Sequence, residues 1–253
     1  MDVNGKAALV TGGGSGLGEG TARRLAADGA KVAILDVNMD AAEAVAKDIG
    51  GIAVHCDVSS AESGEAAVAA AREAHGVSRV LINCAGIGYG ARIVGREGPH
   101  SFDHFARVIN INLIGTFNLM RLAATDMSTA DPLEDDERGV IIMTASVAAF
   151  EGQIGQVAYS ASKGGVAAMT IPAAREFARM GVRVLTIAPG LFATPMFFTL
   201  PQEAQDSLEA SIPYPSRFGT PAEYADLALH MITNRMLNGE VVRLDGALRM
   251  APK

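Results

Sequence analysis

Tyr159 and Lys163 stand four residues apart in Tyr159-Ser160-Ala161-Ser162-Lys163, at the start of a helical stretch, so both side chains fall on one face and reach one site. A lone tyrosine donates protons poorly near neutrality, because its ordinary pKa is ~10 and each unit of lowering takes about 1.4 kcal/mol of preferential phenolate stabilisation. An ammonium one turn away supplies charge of that kind. The pair reads as a general acid for reduction and a general base for oxidation, with Tyr159 moving the proton. Ser146, closing a β-branched run, adds a hydroxyl that can hydrogen-bond an oxygen where charge develops. Any one of these residues alone is equally well a surface pair or a strand end.

A second constellation lies near the start of the chain. Thr11-Gly12-Gly13-Gly14-Ser15-Gly16-Leu17-Gly18 follows a first strand-like run and opens a helical one. Glycines there permit a tight turn and let the backbone of Gly12, Ser15, Gly16, Leu17 and Gly18 approach a pyrophosphate, which the free N–H groups of the helix start attract. Asp36 ends the next strand 18 residues beyond Gly18, where a carboxylate accepts from the adenosine ribose hydroxyls. This predicts NAD as the cofactor. A 2′-phosphate would meet a like charge at a cost on the order of a few kcal/mol for ~4 Å and an effective dielectric of ~20. Gly14, Ser15 and Val37 offer no positive charge to offset it.

Seven β-branched runs, at 6–10, 31–36, 52–57, 79–86, 139–146, 183–190 and 240–246, must hold these residues in place. Amphipathic stretches near 17–28, 39–49, 61–75, 101–127, 159–180 and 221–233 alternate with them. Continuous apolar strands alternating with helices predict an α/β fold: a Rossmann-like, doubly wound, parallel seven-stranded sheet with helices on both faces. With no linker or internal repeat, residues 1–253 form a single domain, its cofactor half about 1–145 and its catalytic and substrate half about 146–253. Two segments break the rhythm: the acidic loop at 131–139, read as a solvated surface loop, and a Pro-rich stretch at about 191–215, the natural substrate lid.

The formal charge of −7, without a Lys/Arg run, points away from nucleic acid and from anionic membranes. No apolar run approaches the roughly 20 residues of a spanning helix. With no signal-like region before the first strand, the expected location is cytoplasmic, the mitochondrial matrix remaining open only if a transit peptide is missing from this sequence. Cys56 and Cys84 read as reduced thiols, and the five histidines lack metal-ligand spacing, so no metal is expected.

From end to end the chain resembles the short-chain dehydrogenase/reductase family. The resemblance is carried by TGGGSGLG at 11–18, Asp57-Val58, Asn83-Cys84-Ala85-Gly86, Asn112 in NINLIGT, Ser146, YSASK and Pro189-Gly190. It implies hydride exchange between a nicotinamide and a secondary alcohol or its ketone. It also implies that Asp57 and Val58 contact the adenine and that Asn83 stabilises the central strands. Ala85, Gly86, Pro189 and Gly190 would border the cofactor together with Tyr159 and Lys163, and Ile187 and Thr194 would hold the carboxamide end. Asn112 would join Ser146, Tyr159 and Lys163 in a proton-relay tetrad. On their own, Asn83 and Asn112 read as satisfied buried amides.

The stretches TASVAAFEGQIGQVAYSASKGG, TIAPGLFATPM, IPYPSRFGTPAEYA and LNGEVVRLDGALRM are similar to the type 2 3-hydroxyacyl-CoA dehydrogenases. That similarity implies NAD-linked interconversion of 3-hydroxyacyl-CoA and 3-ketoacyl-CoA, a place in fatty acid metabolism, and a homotetramer. Substrate contacts are expected from Ser146, Gln156, Tyr159, Leu191 and Phe192, with Phe197, Phe198 and Leu200 lining an apolar pocket. Arg92, Arg96 and Arg217 are the candidates for the CoA phosphates. Two other readings stand: a hydroxysteroid or other secondary-alcohol dehydrogenase with the same tetrad, and an NAD-binding scaffold subunit, against which the intact Ser146, Tyr159 and Lys163 set speaks.

Overall fold

The computed structural model describes residues 1–88, 90–96, 98–195, 197–199 and 201–252. Seven parallel strands, β1 (Ala7–Thr11), β2 (Lys31–Asp36), β3 (Ile52–His55), β4 (Ser78–Asn83), β5 (Gly139–Thr144), β6 (Val182–Pro189) and β7 (Val241–Leu244), form one sheet in the order β3-β2-β1-β4-β5-β6-β7. Strands β1, β5 and β6 are buried along their whole length, which is why they read as unbroken apolar runs rather than alternating ones.

Helices cover both faces. Leu9, Leu35, Leu81, Ile141, Met143 and Val184 point to one side, under α3 (Ala61–His75), α5 (Gly115–Ser128) and α6 (Val157–Phe177). Their neighbours Val10, Ile34, Ile82, Ile142 and Leu185 point to the other, under α1 (Gly16–Ala27), α2 (Met39–Ile49) and α8 (Pro221–Thr233). Strand order runs outward in both directions from the β1–β4 pair, so the connections diverge there and leave a crevice at the carboxyl ends, where an open sheet of this kind takes its ligand. Among the described residues, no helix is long and apolar enough to cross a membrane.

Three segments differ from the sequence expectation. The single helix expected over 101–127 is α4 (Phe102–Ile109) and α5 joined by a π turn at Asn110–Ile114. The lid expected as loop contains a 3-10 turn (Phe197–Thr199) and helix α7 (Gln202–Ala210), which has no buried residue; Leu200 lies outside the described residues. The acidic loop is exposed at Asp131, Glu134, Asp135 and Asp136, as a solvated surface loop would be, but it is tied down at one buried residue. Its Glu137 is buried and accepts from Arg183 Nε at 2.9 Å, while Glu134 and Asp135 pair with Arg235 at 3.0 and 2.8 Å. Arg183 is itself buried and donates to the Met231, Ile232 and Leu237 carbonyls, so a buried carboxylate is needed to compensate its charge.

Both cysteines are free, Cys56 buried and Cys84 half-buried. Burial pushes the Cys56 thiol up to about 12, which rules out thiolate chemistry there at neutral pH.

Candidate active site

Where β1 and β4 end, Thr11 Oγ1 accepts from the Cys84 and Ala85 N–H groups, both at 3.1 Å, and ties the first turn to residues 83–86. Gly12 occupies the left-handed region at φ +63°, and a Cβ there would stand 2.8 Å from the Ala85 nitrogen. Only glycine fits. Ser15 sits extended and exposed ahead of α1 and makes no side-chain cap, which leaves the first-turn N–H groups of that helix for an anion. Gly18 packs on the Gly12 carbonyl, and Leu17 packs against the core. Asp36 is half-buried at the end of β2, its Oδ2 accepting from Gly14 N at 3.0 Å and its Oδ1 from Asn38 N at 2.9 Å. Each oxygen keeps a further acceptor position for a hydroxyl.

Beyond Asp36 a cleft of about 450 Å³ is lined by Val37, Asp57, Ser59, Arg107, Asn110 and Ile111. Asp57 Oδ1 accepts from Ser59 N at 2.9 Å and Ser59 Oγ at 2.7 Å, which fixes its carboxylate at the cleft wall. The Val58 side chain is buried against Gly115 and its carbonyl accepts from Asn118 Nδ2 at 3.0 Å, so its contribution to a ligand is confined to the main chain. Asn83 donates to the Thr116 carbonyl at 3.5 Å while its Oδ1 is buried without a partner. At the other end of the crevice, the buried Ile187 accepts from Ala145 N through its carbonyl at 2.8 Å, and Thr194 packs on Gly16, whose φ is +54°. Pro189 ends β6, and Gly190 donates to the Leu244 carbonyl at 2.9 Å.

Ser146 follows β5. Its Oγ accepts from Ala148 N at 3.1 Å, so its own proton remains available to donate. Tyr159 lies in the first turn of α6, near enough to Ser146 for that hydroxyl to stabilise its phenolate. Lys163, one turn on, is buried; its Nζ donates to the Thr144 carbonyl at 2.8 Å and lies 5.8 Å from the centre of the Tyr159 ring. Asn112, in the π turn, accepts from Ile87 N at 2.8 Å and donates to the Ile87 carbonyl at 2.9 Å and to Ser162 Oγ at 3.1 Å. Ser162 Oγ in turn donates to the Tyr159 carbonyl at 2.7 Å. Gly86 completes the floor: a Cβ there would lie 3.2 Å from Asn112 Oδ1 and 3.6 Å from Lys163 Nζ. The four tetrad residues therefore converge, and Asn112 reaches the others through Gly86 and Ser162.

Burial pushes Lys163 down to about 8, against the opposing pull of the nearby Cys84 sulfur. Burial also pushes the Tyr159 phenol above its ordinary value, and the nearby Ser146 hydroxyl draws it back only in part. The sequence suggests that Lys163 lowers Tyr159; in the protein alone, desolvation prevails, and the phenol holds its proton.

Of the expected substrate contacts, Gln156 uses Oε1 to accept from Gln153 N at 3.0 Å, and Leu191 uses its carbonyl to accept from Gly219 N at 2.9 Å. Phe192 turns inward, buried edge-on against Tyr224 at 6.4 Å between ring centres, so it braces the base of the 191–215 stretch. Phe197 is buried and packs on Phe218 at 4.4 Å, while Phe198 is exposed. Arg217 pairs with Glu223 through two bonds of 2.9 and 2.6 Å and holds that carboxyl at about 2, while Arg92 and Arg96 are exposed. Sequence reasoning missed Thr11, Thr144, Ser162 and Tyr224. Thr144 Oγ1 bonds to the fully buried Tyr224 hydroxyl at 2.7 Å, directly behind the carbonyl that holds Lys163. The polar residues in the YSASK and MTAS stretches were the available signal for Ser162 and Thr144.

A crevice at a topological switch point, an acidic residue closing the second strand and a Ser–Tyr–Lys set define an oxidoreductase that takes a nicotinamide dinucleotide. The chain belongs to the short chain dehydrogenase family, which it matches over residues 6–205. It is 51% identical over 254 residues to the 3-hydroxyacyl-CoA dehydrogenase type-2 of Bos taurus, a match that covers 99% of this chain and 97% of that protein. The crystal structure of 3-hydroxyacyl-CoA dehydrogenase type-2 from Mycobacterium avium superposes with a TM-score of 0.93 at 45% identity, over 98% of both chains. The 3-ketoacyl-(acyl-carrier-protein) reductase of Brucella melitensis, solved with NADH, gives 0.88 at 30% identity, over 98% of this chain and 100% of that one.

Proposed function

We propose that the protein is an NAD-dependent 3-hydroxyacyl-CoA dehydrogenase. The observation that carries the chemistry is the convergence of Ser146, Tyr159 and Lys163 at a crevice whose far end is Asp36. The open cradle at Gly12, Ser15 and Gly16 would hold the pyrophosphate. Asp36 would hold the adenosine ribose, and Asp57 and Val58 the adenine. Ala85, Gly86, Ile187, Pro189, Gly190 and Thr194 would border the nicotinamide half. The bound cofactor supplies or accepts the hydride.

The chain's own residues handle the oxygen. Ser146 donates a hydrogen bond to it, because its acceptor side is already filled by Ala148 N. Tyr159 gives its proton to the oxygen in reduction and takes it back in oxidation, and Lys163 stabilises the phenolate between those events. Two features support NAD over NADP: Asp36 is fixed by two main-chain N–H groups, and no cation neighbours it in Gly14 or Val37. The acyl-CoA assignment is supported by the full-length likeness to type-2 3-hydroxyacyl-CoA dehydrogenases. With Arg217 occupied and α7 presenting the exposed Glu203 and Asp206, the CoA phosphates seat on the side of Arg92 and Arg96. Exposed Phe117 on α5 and Ile171 on α6 are faces suited to pairing in a homotetramer.

Initial rates with acetoacetyl-CoA and NADH, beside NADPH and a panel of steroid and small ketones, test this reading. Rapid NADH-linked reduction of acetoacetyl-CoA is expected. Negligible turnover of it beside fast reduction of another ketone would transfer the assignment to that alcohol class, and faster turnover with NADPH would overturn the role given to Asp36.

A further inference from the structure

Ser146 and Tyr159 belong to different elements, and the segment joining them, 147–156, must hold two hydroxyls at one oxygen. Its first half is a tight turn in which the Ser146 carbonyl accepts from Ala149 N at 3.0 Å and the Val147 carbonyl accepts from Phe150 N at 2.9 Å and Glu151 N at 3.0 Å. Glu151 is thus one turn from Ser146 and moves with it. Its second half ends at Gln156, whose carbonyl accepts from Ser160 N at 2.7 Å and opens the turn bearing Tyr159.

Both halves are pinned from the same place. Arg243, on β7 opposite Ala188, donates to Glu151 Oε1 at 2.8 Å and Oε2 at 2.9 Å, to Asp245 Oδ2 at 2.7 Å and to the Leu248 carbonyl at 2.9 Å, and it lies over the Phe150 ring at 5.4 Å. Each nitrogen of that guanidinium therefore donates to a partner. Arg249 adds contacts to Glu151 at 3.4 Å and Asp245 at 3.1 Å. The Arg243 fork is the first cause holding the Glu151 carboxyl below the usual range. Past Leu248 the chain crosses the second half of the segment, where Gln153 Nε2 donates to the Ala251 carbonyl at 3.1 Å and Ile154 N to the Pro252 carbonyl at 2.9 Å. The hub also touches the cofactor end, because a Cβ on Gly190 would meet Asp245 Cα at 2.9 Å.

We infer that Arg243 is a positioning residue for the reaction: with Glu151 and the 248–252 strap it splints the segment between Ser146 and Tyr159 and sets the spacing of the two hydroxyls. Planar, two-pronged recognition of a carboxylate is what arginine supplies and lysine does not. The inference rests on Ser146 and Tyr159 acting together on the substrate oxygen. It does not depend on which ketone is reduced.

The test compares the full-length wild type with Arg243→Gln, Arg243→Lys and Glu151→Gln. It uses NADH and acetoacetyl-CoA, or the fastest ketone of the panel if the wild type ignores acetoacetyl-CoA, so that failure of the substrate assignment shows in the wild type alone. Arg243→Gln is expected to lower kcat at least 10-fold and to enlarge the isotope effect with 4-deuterated NADH. NADH Kd should stay within two-fold, with Arg243→Lys intermediate. A purely structural role would lower the melting temperature and leave kcat and the isotope effect at wild-type values below it; that result overturns the inference. If Arg243→Gln does not fold, the isosteric Glu151→Gln decides: a kcat loss of at least three-fold with NADH binding intact supports the splint, and wild-type kcat refutes it.

Discussion

Replacing Lys163 by methionine separates what the ammonium does for the reaction from what it costs the fold. Lys163 is buried, and its pKa falls from 10.5 to about 8. At about 1.4 kcal/mol per pH unit, the charged form is disfavoured in the folded state by about 3 kcal/mol near pH 7. Methionine fills similar space without charge but leaves the Thr144 carbonyl unpaired, a penalty of ~1–3 kcal/mol, so the variant should match the wild type or exceed it by up to ~2 kcal/mol at pH 7. The pH dependence is the sharper measurement. Between about 8 and 10.5 the unfolded chain keeps the lysine proton and the folded chain does not, so wild-type stability rises with pH relative to the variant. From pH 7 to pH 9.5 the difference should close by about 2 kcal/mol. Urea unfolding of both proteins at pH 7, 8.5 and 9.5 reads this directly, because every other titrating group is shared. A difference constant to within ~0.5 kcal/mol, or one that changes in the opposite direction, would refute the account of a desolvated ammonium. In the same wild-type protein, ketone reduction should decline above about pH 8 as the ammonium is lost.

Tyr159→Phe removes only the hydroxyl and should reduce turnover at least ~10²-fold with NADH binding retained by fluorescence titration; equal turnover would eliminate Tyr159 as the acid. Asp36→Ala should lower the NADH-over-NADPH ratio of kcat/KM by at least ~10²-fold, since a like-charge contact worth a few kcal/mol disappears, and an unchanged ratio would mean that selectivity lies elsewhere. Gly12→Ala places a Cβ 2.8 Å from the Ala85 nitrogen at a left-handed backbone position. It should raise the NADH Kd at least ~10-fold by calorimetry, and wild-type affinity would show that the turn is not the cradle.

How much of this was visible in the sequence depends on whether the cause was local. Helices α2, α3 and α8 fall where expected because their starts are written in adjacent side chains: Asn38 accepts from Ala41 N, Ser60 from Ser63 N, and Thr220 with Glu223 forms a reciprocal capping box. The strands were visible as continuous apolar runs, and the end of β2 was placed correctly, but the ends of β3 to β7 were placed too far along, β4 the most, since residues 84–86 leave the ladder to line the crevice. The break at Asn110–Ile114 was hidden because the partner of its Asn112, the Ile87 backbone, lies 25 residues away. Glu137 was misread for the same reason, its Arg183 partner being 46 residues distant. Helix α7 escaped notice because it is short and its half-buried apolar positions, Ala204 and Leu208, are too few to set a period.

The distribution of bonds around the site explains how one scaffold can fix the chemistry and leave the substrate open. Lys163 is held by the Thr144 carbonyl, Ser146 by the Ala148 N–H, Asn112 by both polar atoms of the Ile87 backbone, and Asp36 by two main-chain N–H groups. Main-chain partners survive almost any side-chain replacement that keeps the sheet, so the placement of these four side chains is insensitive to what surrounds them. The 191–215 stretch is anchored differently. Gly219 donates to the Leu191 carbonyl and accepts from Ala193 N at one post, Tyr214 N donates to the Gly246 carbonyl at the other, and no residue of α7 between those posts is fully buried. Substrate selection is therefore expected where side chains alone decide, in the 191–215 stretch, and changes there should redirect the alcohol accepted without disturbing hydride chemistry, whereas changes in the segment splinted by Arg243 should disturb it.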